Sequence, residues 1–159
     1  MRANRLESIV EASILKYVRP QKIDRESNYG IIKKWKLIND GPKLFYDAKS
    51  PAKTYNDNER ETEFVLHYPV FNIDWRIECK DQKANSDGMV NRIVKDIQDV
   101  KYLDENMLIL VIDGILLKPS IIKAIYNWCQ IFEAEGRVWV GNPKEFENML
   151  FRKVSYPKK

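Results

Sequence analysis

Histidine occurs once in these 159 residues, cysteine twice and glycine six times. A lone histidine, His67, leaves no Ser–His–Asp triad, no paired-histidine metalloprotease motif and no His/Cys zinc cluster. Neither a phosphate-binding loop nor a dinucleotide fingerprint is present, so no organic cofactor is expected. No apolar run approaches the length of a membrane span, and the N-terminus carries no signal-peptide pattern. Without an export signal, Cys79 and Cys129 read as reduced thiols rather than a bridge, which predicts a cytoplasmic protein with no membrane partner.

What is present suits one folded domain. The chain is 44% hydrophobic and 31% charged, too apolar for a disordered segment, and its length supports one core but not two. Net charge is +4, unevenly spread. Residues 1–60 hold 13 Lys/Arg against 8 Asp/Glu, and residues 61–159 hold 14 against 15. A solvated surface accounts for this; so does a polyanion attracted by Lys33, Lys34, Lys36, Lys43, Lys49 and Lys53.

Residues 61–82 carry the main pattern. Phe64, Leu66 and Tyr68 alternate with Glu61, Glu63, Val65 and His67; Ile73, Trp75, Ile77 and Cys79 alternate with Asp74, Arg76, Glu78, Lys80 and Gln82. Two period-two stretches around a Pro69–Asn72 turn predict an antiparallel hairpin with one apolar and one charged face. If the turn centres between Val70 and Phe71, Glu63 lies opposite Glu78, with Cβ atoms about 4.5–5.5 Å apart. Lys80 projects from the same face. Two adjacent carboxylates repel one another, and a hard divalent cation such as magnesium removes that cost. Asp74 lies about 13 Å from Glu78 along the same strand, too far to share an ion. Glu61 takes the place of Glu63 if the register slips by two.

Before the hairpin, Leu6, Ile9, Val10, Ile14 and Leu15 predict a helix over 4–18, with Glu7 and Glu11 as an i, i+4 pair that reaches either solvent or a site. Residues 20–28 read as a polar turn, 29–38 as a helix, 43–47 as a short strand and 48–59 as a loop. After the hairpin come a helix over about 88–102, a doubly buried strand at Met107–Ile112, a helix over 120–135, a strand at 137–140 and a helix over 143–151. This order predicts an α/β domain, a mixed sheet with an antiparallel hairpin and helices on both faces.

An acidic residue early in one strand, Glu-x-Lys at the end of the next, then a helix and a buried strand resembles the PD-(D/E)xK nuclease superfamily. Here the elements are Glu63 and Ile77-Glu78-Cys79-Lys80-Asp81-Gln82, with Val111-Ile112-Asp113-Gly114 beyond. The resemblance covers residues 59–151 as a catalytic core and leaves 1–58 as a basic, helical N-terminal part. The first acid in that family is usually Asp; this chain has Glu. The resemblance implies a restriction-endonuclease-like fold and a magnesium-dependent endonuclease acting on DNA, with manganese as a substitute ion. Glu63, Glu78 and the Cys79 carbonyl would hold the metal, Lys80 would orient or deprotonate the attacking water, and Gln82 would hold phosphate or water. Lys33, Lys34, Arg76 and Lys83 would contact nucleic acid, and double-strand cleavage would call for a homodimer. The alternative is a catalytically inactive protein of the same fold that acts as a nucleic-acid-binding or interaction module. Trp75 and Trp128 are expected in the core; Trp35, among lysines, is expected there too but has the one neighbourhood suited to base stacking.

Overall fold

A computed structural model describes residues 5–25, 28–50, 61–81, 86–114 and 116–155. Six strands form one sheet in sequential order: β1 (Lys22–Asp24), β2 (Lys43–Lys49), β3 (Glu61–Tyr68), β4 (Ile73–Lys80), β5 (Met107–Ile112) and β6 (Val138–Gly141). The centre, β2-β3-β4, is antiparallel; β1 joins β2 in parallel, and β5 and β6 extend β4 in parallel. The helices are α1 (Arg5–Tyr17), α2 (Tyr29–Lys36), α3 (Ser86–Asp99), α4 (Pro119–Ile131) and α5 (Pro143–Ser155). None of them is long and apolar enough to cross a membrane.

The hairpin has the expected register, with Tyr68 opposite Ile73 and Phe64 opposite Ile77. Pro69–Phe71 form one 3₁₀ turn, and Asn72 closes it at φ 56°, a left-handed conformation that asparagine tolerates. One face of the sheet lies under α1 and α5, which press Leu6, Val10, Ile14, Phe146 and Leu150 onto Phe64, Trp75, Ile77 and Ile109. The other lies under α3 and α4, whose Met89, Ile93, Ile97 and Ile125 cover Leu108, Leu110 and Ile112. α2 covers that same face further along, through Ile32 on Phe45 and Val65. Val65 pairs with Arg76 and Arg76 with Leu108, which places all three on one side. Cys79 and Cys129 are buried and unbonded, in the clusters on opposite faces.

Three expectations are corrected. The N-terminal part is not merely helical: β1 replaces a predicted turn, and β2 lies inside the sheet, running on to Lys49. A three-residue strand has too little alternation to read. α4 stops at Ile131 and α5 runs on to Ser155, because helix ends depend on packing that periodicity does not carry. Arg76, expected to reach nucleic acid from the charged hairpin face, is instead buried with Glu78 under α2 and α3.

Candidate active site

The ladder between β3 and β4 is registered as far as Phe64 and Ile77. Beyond that pair, side chains take over the rungs. Thr62 Oγ1 donates to the Ile77 carbonyl at 3.0 Å, and the Cys79 N–H donates to Glu63 Oε1 at 2.9 Å. The cause lies in the local backbone. Asp47 of β2 adopts φ 47°, and its neighbours Phe45 and Ala48, three residues apart, enter the same apolar cluster. Strict alternation forbids that, so the strand flips faces at Asp47. Thr62, paired with Ala48, is correspondingly buried and bonds Glu78, leaving Glu63 at the opening. The N–H and C=O of one strand residue project to the same side, so the Cys79 carbonyl also faces the gap.

Glu63 is half-buried and Glu78 is 7% exposed, and their side chains are within hydrogen-bonding reach. Burial pushes the Glu78 carboxyl up to about 8, the Glu63 charge and hydrogen bond add to this, and Lys80 and Thr62 oppose it. Glu7 of α1 comes close as well. Its carboxyl is raised by burial and then by the charges of Asp47 and Glu78. The Cys79 thiol is pushed well up by burial, then by Glu63 and Glu7. Glu63, Glu7 and Glu78, from β3, α1 and β4, therefore all act on the Cys79 thiol, and Asp47 of β2 acts on Glu7.

Lys80 is the cation among them. Its Nζ lies 2.7 Å from Asp96 Oδ2 and 4.0 Å from Glu78 Oε1. Burial would lower its pKa, but Asp96 and then Glu78 outweigh that and raise it, so Lys80 is an ammonium ion at neutral pH. A cleft of about 250 Å³ opens over Glu63, Glu78, Cys79, Lys80, Asp81, Met89 and Arg92.

The donors suit a hard cation. Glu63, Glu78 and the Cys79 carbonyl offer oxygen only. No three His, Cys, Asp or Glu side chains among the described residues are grouped to hold a metal ion. Magnesium is commonly held by one or two carboxylates, with water and substrate phosphate completing its shell, and the pair fits that pattern.

The other candidates separate. Gln82 and Lys83 lie outside the described residues. Arg76, expected to contact nucleic acid, is 3% exposed; its Nε bonds Glu105 Oε1 at 2.9 Å and its Nη1 reaches the Ala48 carbonyl. A guanidinium enclosed in this way offers nothing to a phosphate. Lys33 and Lys34 are exposed on α2. Glu61 pairs with Lys49, and Asp74 with Lys36 and His67. Glu11 accepts from Tyr46, so of the helical pair only Glu7 approaches the site. Trp35 is half-buried against Ile32 and Phe45 with Lys22 over its ring, which leaves no stacking platform. Asp113 lines a neighbouring depression with Arg5 and Asn142, which meets the cleft at Asp81.

Two residues of the site escape a sequence reading. Asp47 is one, because nothing in a periodic strand announces a positive φ. Asp96 is the other, and it leaves a trace: it interrupts the buried stripe Met89, Ile93, Ile97, Val100 at a core position. Comparison with protein-family models, curated proteins and solved structures found no match for this chain.

Proposed function

We propose that this chain is a magnesium-dependent endonuclease that hydrolyses phosphodiester bonds in DNA, with a restriction-endonuclease-like fold of the PD-(D/E)xK type. One observation carries the reading. Glu63 and Glu78 meet where the hairpin ladder opens, beside an ammonium group two residues further along the same strand. The order hairpin, α3, parallel β5 supports the same family resemblance.

Each residue then has a task. Glu63 and Glu78 would hold the cation, Glu78 after losing the proton that burial and the neighbouring Glu63 charge keep on it. The bound magnesium would supply Lewis-acid charge stabilisation and a more acidic water. Lys80, held as an ammonium ion, is a poor base. Its part is to orient the attacking water and stabilise negative charge growing on the phosphate. Arg92, exposed at the rim, is placed to contact a phosphate. One such centre cuts one strand, so double-strand cleavage takes two copies of the chain.

The second reading, a nucleic-acid-binding module without cleavage, draws on the Asp96 pairing, which occupies the lysine a nuclease would use. Supercoiled plasmid with protein and magnesium separates the two. A nuclease relaxes or linearises the plasmid, and Glu78→Ala and Lys80→Ala each stop it while the protein stays folded. Cutting that survives both substitutions would falsify the site.

A further inference from the structure

Asp96 sits where a core residue belongs. It lies on α3 between Ile93 and Ile97, both fully buried, and is itself 3% exposed. A carboxylate in such a layer costs several kcal/mol unless a cation answers it, and a leucine would pack there without that cost. The cation is Lys80. Its ammonium stands between two acids, 2.7 Å from Asp96 and 4.0 Å from Glu78.

We infer that Asp96 is a positioning residue that holds Lys80 against α3, so that the Glu78 oxygens stay open to a divalent cation. The inference deepens the nuclease reading and rests on it. The argument concerns competition. Lys80 and Glu78 lie two residues apart on one face of β4, within direct ion-pairing reach. Without Asp96, Glu78 and Glu63 are the acids that draw the ammonium ion. Lys80 would close onto them and occupy the place of the metal. With Asp96 present, the lysine is fixed in the cleft wall, where its charge still faces a phosphate bound over Glu78. An ion pair that merely pinned α3 to the sheet would leave cation affinity untouched.

Three proteins decide this: wild type, Asp96→Asn and Asp96→Glu, all checked for folding by circular dichroism and thermal melting. Magnesium binding is measured by calorimetry without DNA, and plasmid cleavage is followed over a range of DNA concentrations. Asp96→Asn should bind magnesium about 10–100-fold more weakly and lose kcat in similar measure, with KM for DNA little changed. Asp96→Glu, which restores the carboxylate one methylene longer, should recover part of both. The Lys80 ammonium resonance should be sharp in the wild type, broaden in Asp96→Asn and return in Asp96→Glu. If Asp96→Asn does not fold, Asp96→Leu, which the apolar layer accommodates, takes its place, and wild-type magnesium affinity, kcat and lysine signal in it would overturn the inference. A folded Asp96→Asn with wild-type magnesium affinity would overturn it equally. A wild type that binds magnesium but cuts nothing removes the nuclease reading and leaves calorimetry to decide Asp96. A wild type that binds no magnesium removes both.

Discussion

A carboxyl group buried under α3 and facing a second carboxylate is costly to ionise, and at Glu78 that cost has a pH signature. Its folded-state pKa, about 8, lies above the ordinary 4.5, so in the absence of cations folding favours the protonated form. The raised value means stability is fully present below about pH 4.5 and is lost as pH rises through about 8. Glu78→Gln cannot ionise. In EDTA it should melt above the wild type by an amount that grows between pH 5 and 8, worth a few kcal/mol at the top of that range. Magnesium at pH 8 should return part of the difference to the wild type alone. Parallel melting curves for the two proteins check this, and a constant difference across the range would mean that Glu78 titrates normally. By the same sign, magnesium affinity measured by calorimetry should rise with pH up to about 8 and then level off. The sequence carried Glu78 and Lys80 openly, because they alternate on one strand face. The expected Glu63–Glu78 rung is not among the registered pairs, which end at Phe64 and Ile77, and Glu63 reaches Glu78 where the ladder opens. The sequence could not carry Asp47, whose part depends on a backbone flip, and it offered Arg76 as a phosphate contact because alternation does not show that Glu105, 29 residues on, encloses that guanidinium.

A charge cluster joins β4 to α2 and to the segment before β5, beside the apolar packing. Glu105, just before β5, accepts from Arg76 of β4 and from Lys36 of α2 at 2.7 Å, and Lys36 also reaches Asp74. Burial opposes ionisation of Glu105, but Arg76 and then Lys36 outweigh it, and its pKa is lowered. The sign is opposite to that of Glu78. This stability is present above about pH 4.5 and is lost as pH falls through the depressed value. Glu105→Ala strands the buried Arg76 and leaves Lys36 to Asp74, so it should cost about 3–5 kcal/mol at pH 7, read from urea denaturation. The loss should shrink below pH 4, where the wild type loses its own pair. A neutral result at pH 7 would show that the cluster is solvated. Element types were legible where the pattern was long: α1, both hairpin strands and Met107–Ile112 stand where spacing put them. β1 and the far ends of α4 and α5 were not, since each is decided by contacts distant in sequence.

The whole molecule carries its charge less freely than its composition suggests. Of the six lysines that gave the first 60 residues a basic look, Lys43 is buried against the Asn39 and Gly41 carbonyls, Lys36 joins Glu105, and Lys49 joins Glu61. Lys53 lies outside the described residues, and Lys33 and Lys34 remain exposed on α2, the helix over the charged face of the hairpin. The double substitution Lys33→Glu/Lys34→Glu should weaken DNA binding about equally on unrelated sequences and flatten the salt slope by about 2, as for two lost phosphate contacts. Fluorescence anisotropy at several salt concentrations reads both quantities. An unchanged slope would move the DNA track away from α2.

The sharing of one ion by Glu63 and Glu78 is tested most directly by crystals grown with calcium, an ion that occupies oxygen sites of this kind. The expected result is a single calcium peak about 2.3–2.6 Å from oxygens of both side chains, lost in Glu78→Gln. A calcium ion bound by Glu7 and Asp47 alone, or a cleft that stays empty at millimolar calcium, would contradict it.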